Sequence, residues 1–239
     1  MNVWCPGASE AALSLARALG GRKMRRMTTL QRWLMRRRGG KMSLLLMSPF
    51  TAGMPALLLE HVNLLNGRMC WDKLLQHHVM RGAGIPTLDV LPYAPDGEWV
   101  GRTRRHSRGD DFLQTIEPDY FTRKVEVVKE FRFHIIGGRS VKGGGKVPVE
   151  GEEVHPWVRS RQFGWKVDYG PLGREGITAG MREMAKEASA VLQMDAGAVD
   201  VWQLAGGRAI VGEVNVRPGM DEPTVVAWAT ALKEMEDGD

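Results

Sequence analysis

Glu213-Val214-Asn215-Val216-Arg217-Pro218-Gly219 is the stretch on which the reading of this chain turns. On a strand, residues two apart face the same way, so Glu213 and Asn215 project side by side. Ala198–Gln203 and Ala209–Val214 read as two strands joined at Gly206-Gly207, and a hairpin there can bring Asp200 beside them. Two carboxylates and one amide oxygen on one face make an all-oxygen site for Mg²⁺, which keeps some water and binds substrate phosphates as well. The same spacing also fits a solvated polar face of a hairpin, with Arg217 as ion-pair partner.

Working outward, Ile177–Leu192 is the clearest amphipathic helix, with Met181, Met184, Ala185, Ala188 and Leu192 on one stripe. A last helix, Thr224–Met235, follows Pro223. Phe131–Ile136 alternates, placing Arg132 and His134 on one face and Phe131, Phe133 and Ile135 on the other, until Gly137-Gly138 turns the chain. A glycine patch, Gly143–Gly145, comes next. Trp99–Thr103 and Tyr120–Val128 are β-like. Ala56–Leu65 and Asp72–Met80 read as helices divided by Asn66-Gly67, a strong turn signal. At the start, Val3-Trp4 reads as a strand and Ala11–Leu19 as a helix capped by Ser9 and closed by Gly20-Gly21. Mixed strands and helices with hairpins argue α+β or α/β, not a bundle or a sandwich.

The 239 residues carry 33 Lys+Arg against 28 Asp+Glu, a formal +5. That sum hides an asymmetry. Ten basic residues and no acidic one lie between Ala11 and Leu59, and the remainder is net −5. Within the block Arg22–Lys41, Leu30, Trp33 and Leu34 recur at helical spacing, so part of it is expected to be an amphipathic helix, with an acidic or nucleic-acid partner as its functional use. Hydrophobic content of 43% and charged content of 26% exclude disorder as the main state. Two cysteines, Cys5 and Cys70, cannot build a disulfide framework, which points to a reducing cytosol. The most apolar stretch, Met42–Leu65, is broken by Pro49, Gly53 and Pro55, so no membrane span or membrane partner is expected. Met1–Gly7 lacks the features of a signal peptide, and the expected location is the cytoplasm. His77-His78 cannot chelate one metal from a helix, because adjacent side chains diverge by about 100°.

The chemistry-bearing motifs resemble a known family. Glu213-Val214-Asn215-Val216-Arg217-Pro218-Gly219 is similar to the E-x-N-x-x-P-G signature of ATP-grasp enzymes. Glu130-Phe131-Arg132-Phe133-His134, with Gly138 and Lys146 after it, resembles the E-[YF]-R-[VF]-H-[VI] strand of short ATP-grasp proteins common in bacteriophages and related to the ribosomal-protein glutamate ligases. Asp72-Lys73 before Gly84-Ile85-Pro86-Thr87 is similar to the segment that opens the ATP-grasp region. The motifs stand in the right order and cover about residues 68–239.

The resemblance implies an α+β fold of two lobes clasping a nucleotide, after a shortened pre-ATP-grasp lobe. The expected divisions are residues 1–67, with the basic block; 68–119, the small lobe; and 120–239, the large lobe with the metal site. It implies Asp200, Glu213 and Asn215 as ligands of Mg²⁺ on ATP. It implies Lys73, Arg102, Ser107, Gly109 and Lys124 as nucleotide-binding, with Ser107 and Gly109 in a phosphate-covering loop and Lys124 in the adenine-binding linker. Arg132, Lys146 and Arg159 become the catalytic cations. Lys142 rivals Lys146, because Gly143–Gly145 replaces the family's longer side chains. Ser160 stands where the family has Asn. For Arg132 the bland alternative is an exposed pair with Glu130 or Glu126. His134 reads equally as active-site lining or as a hydrogen-bonded structural residue.

The implied activity is an ATP-dependent carboxylate–amine ligase, working through an acyl-phosphate and releasing ADP and phosphate. Its partners would be ATP, a carboxylate substrate and an amine acceptor. Two alternatives stand beside it: a nucleotide-binding regulatory protein without catalysis, and a ligase whose acceptor is a protein tail or nucleic acid docked on Arg22–Lys41. If the chain is phage-encoded, the cytoplasm is the host's.

Overall fold

Short apolar runs between glycine turns assemble into three sheets. The computed structural model describes residues 1–5, 9–21, 23–24, 42–47, 62–94, 96–104 and 117–237. The first sheet is parallel, in the order β2-β1-β3-β4, from β1 (Asn2–Trp4), β2 (Lys23–Met24), β3 (Met42–Leu46) and β4 (Val62–Leu65). Helix α1 (Glu10–Ala18) links β1 to β2; Ser9 caps it, accepting a hydrogen bond from the Ala12 amide at 3.2 Å.

One expectation changes here. Val62–Leu65 is a strand, not the end of a helix over 56–65, whose residues 56–61 lie outside the described part. A short, continuous apolar run has no period that separates a parallel strand from a buried helix turn. The basic block begins as strand β2, and the amphipathic helix expected around Leu30, Trp33 and Leu34 lies outside the described residues.

Helix α2 (Lys73–Gly82) follows, its N-cap Asp72 accepting from the Leu75 amide at 3.0 Å. Next comes a small antiparallel sheet, β5-β7-β6, of β5 (Val90–Leu91), β6 (Trp99–Arg102) and β7 (Tyr120–Arg123). The β-like run Tyr120–Val128 is therefore split. β7 belongs to the small sheet, and after a break over 124–126 the chain enters the large one.

That large sheet is antiparallel, in the order β10-β9-β8-β11-β12, from β8 (Val127–Ile136), β9 (Arg139–Pro148), β10 (Trp165–Asp168), β11 (Ala196–Leu204) and β12 (Ala209–Asn215). Helices α3 (Pro171–Arg174) and α4 (Ala179–Val191) lie between β10 and β11, and α5 (Glu222–Asp237) follows β12. Alternation decides which face is covered. Phe131, Phe133, Ile135, Val199, Val201 and Val214 pack against Met181, Ala185, Ala188 and Leu192, each such large side chain contributing ~1.5–3 kcal/mol. The opposite face carries Glu130, Arg132, His134, Asp200, Glu213 and Asn215. Gly144 lies inside β9 because a Cβ there would stand 2.2 Å from the Asp168 carbonyl oxygen, so only glycine lets the β10–α3 connection lie on the strand. Among the described residues no helix is long and apolar enough to cross a membrane.

Asn66 fastens the first sheet to the large one. Its Nδ2 donates to the Leu46 carbonyl at 3.0 Å and to the Ala196 carbonyl at 2.7 Å, and its Oδ1 accepts from the Ala196 amide at 3.0 Å. It is fully buried at φ +62°, a backbone region that asparagine tolerates better than alanine. Asn66→Ala is expected to cost about 2–4 kcal/mol, read as a fall in the urea midpoint at unchanged slope, since it orphans buried backbone groups.

Candidate active site

The polar face of the large sheet is built by register. Asp200 lies opposite Arg132 on one side and Glu213 on the other, and Arg132 lies opposite Gly144. Arg132 grips the Asp200 carboxylate with both arms of its fork, Nε to Oδ1 at 2.7 Å and Nη2 to Oδ2 at 2.7 Å. Lys146 Nζ stands 3.3 Å from the same Oδ2 and bonds Glu130. All four are sheltered: Asp200 is 0% exposed and Arg132 14%. Arg132 sits on a central strand with Asp200, so neither the exposed setting nor the pairing with Glu130 or Glu126 applies. Glu130 instead holds Lys146.

Burial and charge oppose each other here. Burial works against ionisation of Asp200, but Arg132 and then Lys146 outweigh it and hold the carboxyl below the usual range. Burial likewise works against the charge on Lys146, and Asp200 and Glu130 outweigh it and raise its pKa. For Glu130, burial dominates and raises its pKa.

Glu213 and Asn215 face a different cation. Lys73, in the first turn of α2, reaches across so that Nζ is 3.2 Å from Glu213 Oε1 and 3.2 Å from Asn215 Oδ1, and also bonds the Val214 carbonyl. Three oxygens of β12 thus converge on one positive charge, a donor set that fits a hard cation such as Mg²⁺. Glu213 pairs with Lys73, not with Arg217. Among the described residues no three His, Cys, Asp or Glu side chains gather closely enough to hold a metal.

His134 is fully buried and structural. Trp228 Nε1, which can only donate, bonds Nδ1 at 3.0 Å, so the neutral ring carries its proton on Nε2 and donates to Tyr169 Oη at 2.6 Å. Burial, and then the nearby Arg132, lower its pKa to about 3. His77 is buried, its Nδ1 2.7 Å from the Thr87 hydroxyl, whereas His78 is exposed.

The remaining sequence candidates scatter. Arg102 and Lys124 line a cavity of about 530 Å³ with Trp99, Pro118 and Trp157. Lys124 Nζ lies 3.7 Å from the Trp157 ring centroid and 3.0 Å from Glu98. Ser107 and Gly109 lie outside the described residues. Arg159 lies at the margin of the cluster, near enough to Glu130 to feel its charge; its Nη2 donates to the Val127 carbonyl at 2.6 Å and its guanidinium stacks on Trp165. Lys142 turns away from Arg132, bonding Thr224 Oγ1 at 2.7 Å and Asp221 at 3.2 Å. Sequence reasoning missed Glu130 and Tyr169. The alternation that placed Arg132 also placed Glu130 on its face, whereas nothing local flagged Tyr169.

No protein-family model matches the chain, and no curated protein sequence matches it significantly. Solved structures do. The ATP-grasp ligase PsnB, complexed with a minimal precursor, is similar with a TM-score of 0.63 at 13% identity, over 98% of this chain and 99% of that one. D-alanine–D-alanine ligase from Bacillus anthracis gives 0.61 at 13% identity, over 98% and 92%. The macrocyclase MdnC from Microcystis aeruginosa, bound with precursor peptide MdnA, gives 0.58 at 12%, over 96% and 98%. These likenesses show that the chain has the ATP-grasp fold.

Proposed function

We propose that this chain is an ATP-dependent carboxylate–amine ligase. The observation that carries it is the convergence of Glu213, Asn215 and the Val214 carbonyl on one cation, beside the Arg132–Asp200–Lys146 cluster on one face of an ATP-grasp sheet. Glu213 and Asn215, with Asp200 behind them, would hold Mg²⁺, which neutralises phosphate charge when bound. Lys73 would give up these oxygens and turn to the nucleotide, for which Arg102 and Lys124 provide further cations. A substrate carboxylate oxygen attacks the γ-phosphorus of ATP, and the β–γ bridge breaks toward ADP. An amine then displaces phosphate from the acyl carbon to give the amide. Arg132 and Lys146 stabilise the charge that develops in both steps. The motifs shared with short phage proteins and glutamate ligases favour a bacterial or phage setting and an amino-acid or peptide substrate.

One observation favours a second reading, a nucleotide binder without catalysis. Asp200 already has two cationic partners, which leaves less of its charge for a metal. The test is amine-dependent ADP release with pooled carboxylates and amines, using ¹⁸O-labelled carboxylate. Label appearing in the released phosphate is the expected result. MgATP binding with no ADP release from any pool would leave the non-catalytic reading in its place.

A further inference from the structure

On the β11 side Arg132 is gripped by Asp200, but opposite it on β9 stands Gly144, which has no side chain to offer. Tyr169, the residue that follows β10, supplies one. A Cβ at Gly144 would stand 2.8 Å from Tyr169 Cδ1, so the ring lies across β9 at the level of Arg132 and on the same face. From there its Oη reaches His134, which shares that face two residues along β8. The glycine patch that departs from the family's longer side chains thus makes room for a side chain arriving from the end of β10.

The groups that hold the ring each have only one role open to them. Trp228 Nε1 can only donate, and it donates to His134 Nδ1 at 3.0 Å. His134 therefore donates from Nε2 to Tyr169 Oη at 2.6 Å. Thr224 gives its hydroxyl proton to Asp221, so its oxygen accepts, from Lys142 Nζ at 2.7 Å and from the Tyr169 hydroxyl. Donation thus runs in one sense from Trp228 to the Asp221 carboxylate, and Tyr169 cannot turn without breaking two bonds of that chain. Lys142 Nζ also lies 4.1 Å from the ring centroid. Burial pushes the phenol's pKa up to about 12 against the pull of Arg132, which stands near enough to be felt. We infer that Tyr169 is a positioning residue for Arg132: its immobilised ring fixes the guanidinium on the side that Asp200 does not reach, so that the fork meets the reacting phosphoryl group without reorganising. That the fork meets a phosphoryl group rests on the ligase reading; its fixing by Tyr169 does not.

The first test is hydrogen exchange of the Arg132 Nε–H, which bonds Asp200, followed by ¹⁵N NMR on the full chain. Tyr169→Ala should speed it about tenfold or more, while the Nε–H of Arg159, outside the chain of bonds, stays within about twofold of the parent. Tyr169→Phe keeps the ring over Gly144 but drops both hydrogen bonds of Oη, and should speed exchange about threefold. The urea midpoint checks that each variant is folded; where Tyr169→Ala fails that check, Tyr169→Phe decides. Unchanged exchange at Arg132, or an equal rise at Arg159, overturns the inference. The second test is nucleotide preference, by calorimetric titration. Tyr169→Ala should cut the preference for Mg-AMP-PNP over Mg-ADP about tenfold and leave Mg-ADP affinity unchanged. In Arg132→Lys, which has no fork to aim, the same substitution should have no further effect; a full effect there means that Tyr169 acts on its own and overturns the inference. No binding of either nucleotide by the parent would sink the ligase reading, and the exchange measurement would still decide what Tyr169 does.

Discussion

Glu213→Ala is expected to lower amine-dependent ADP release by about 10²–10³-fold, with Asn215→Ala close behind. These residues supply two of the three oxygens that meet at Lys73 Nζ, and the third, the Val214 carbonyl, is fixed by the backbone. Removing the carboxylate takes the only full negative charge from the set. Glu213 is 26% exposed at its side chain, so the stability cost stays near about 1 kcal/mol. Two measurements separate loss of site from loss of fold: the urea midpoint, and the Mg²⁺ dependence of ADP affinity. In the parent chain Mg²⁺ is expected to tighten ADP binding, and in Glu213→Ala that tightening is expected to disappear. Full activity in both variants would move the metal site elsewhere.

The second large effect is on stability. Asp200→Asn leaves Arg132 and Lys146 sheltered beside a neutral amide and is expected to cost about 3–5 kcal/mol. Glu130 still serves Lys146, so the uncompensated charge is chiefly the guanidinium. Asp200→Leu combined with Arg132→Met removes the pair together and should recover most of that loss, to within about 1–2 kcal/mol of the parent, while remaining inactive. Urea unfolding followed by tryptophan fluorescence measures all three; a double variant no more stable than Asp200→Asn would contradict the pairing. The pH dependence follows from the same groups. The carboxyl of Asp200 lies below its unfolded value, so its contribution is complete above about pH 4 and fades as pH falls through the folded pKa. Lys146 is shifted upward, so its contribution is complete below about pH 10.4 and fades above it.

Much of this arrangement can be read from residue order, because the information is local. Ser9 precedes the helix that it caps in the structure. The Met181–Leu192 stripe is the buried side of α4, and Gly137-Gly138 and Gly206-Gly207 turn hairpins at positive φ. That Glu213 and Asn215 project together, here toward Lys73, also follows from two-residue alternation alone. Partners across strands are another matter. That Asp200 meets Arg132 and Glu213 depends on the β11–β8 and β11–β12 registers, and that Glu130 meets Lys146 on the β8–β9 register, the last two shifted by irregularities at Asp200/Val201 and at His134/Ile135. No local pattern encodes those shifts. Strand β3 escapes for the opposite reason, since its consecutive Leu44, Leu45 and Leu46 are all buried, and burial on both faces erases the alternation that marks a half-exposed strand.

The core beneath the first sheet has a consequence for how the chain is made. Val3, Leu15, Leu45 and Leu65 share that core with Val225, Trp228 and Leu232 of α5. A ribosome adding about 5–20 residues per second needs roughly 10–30 s to travel from Leu65 to Leu232. Throughout that interval the earliest strands lack their final cover and leave their leucines exposed. Translation speed and chaperone supply, more than the finished protein's stability, would then set the yield of folded molecules, and codons slowed before α5 would lower it first.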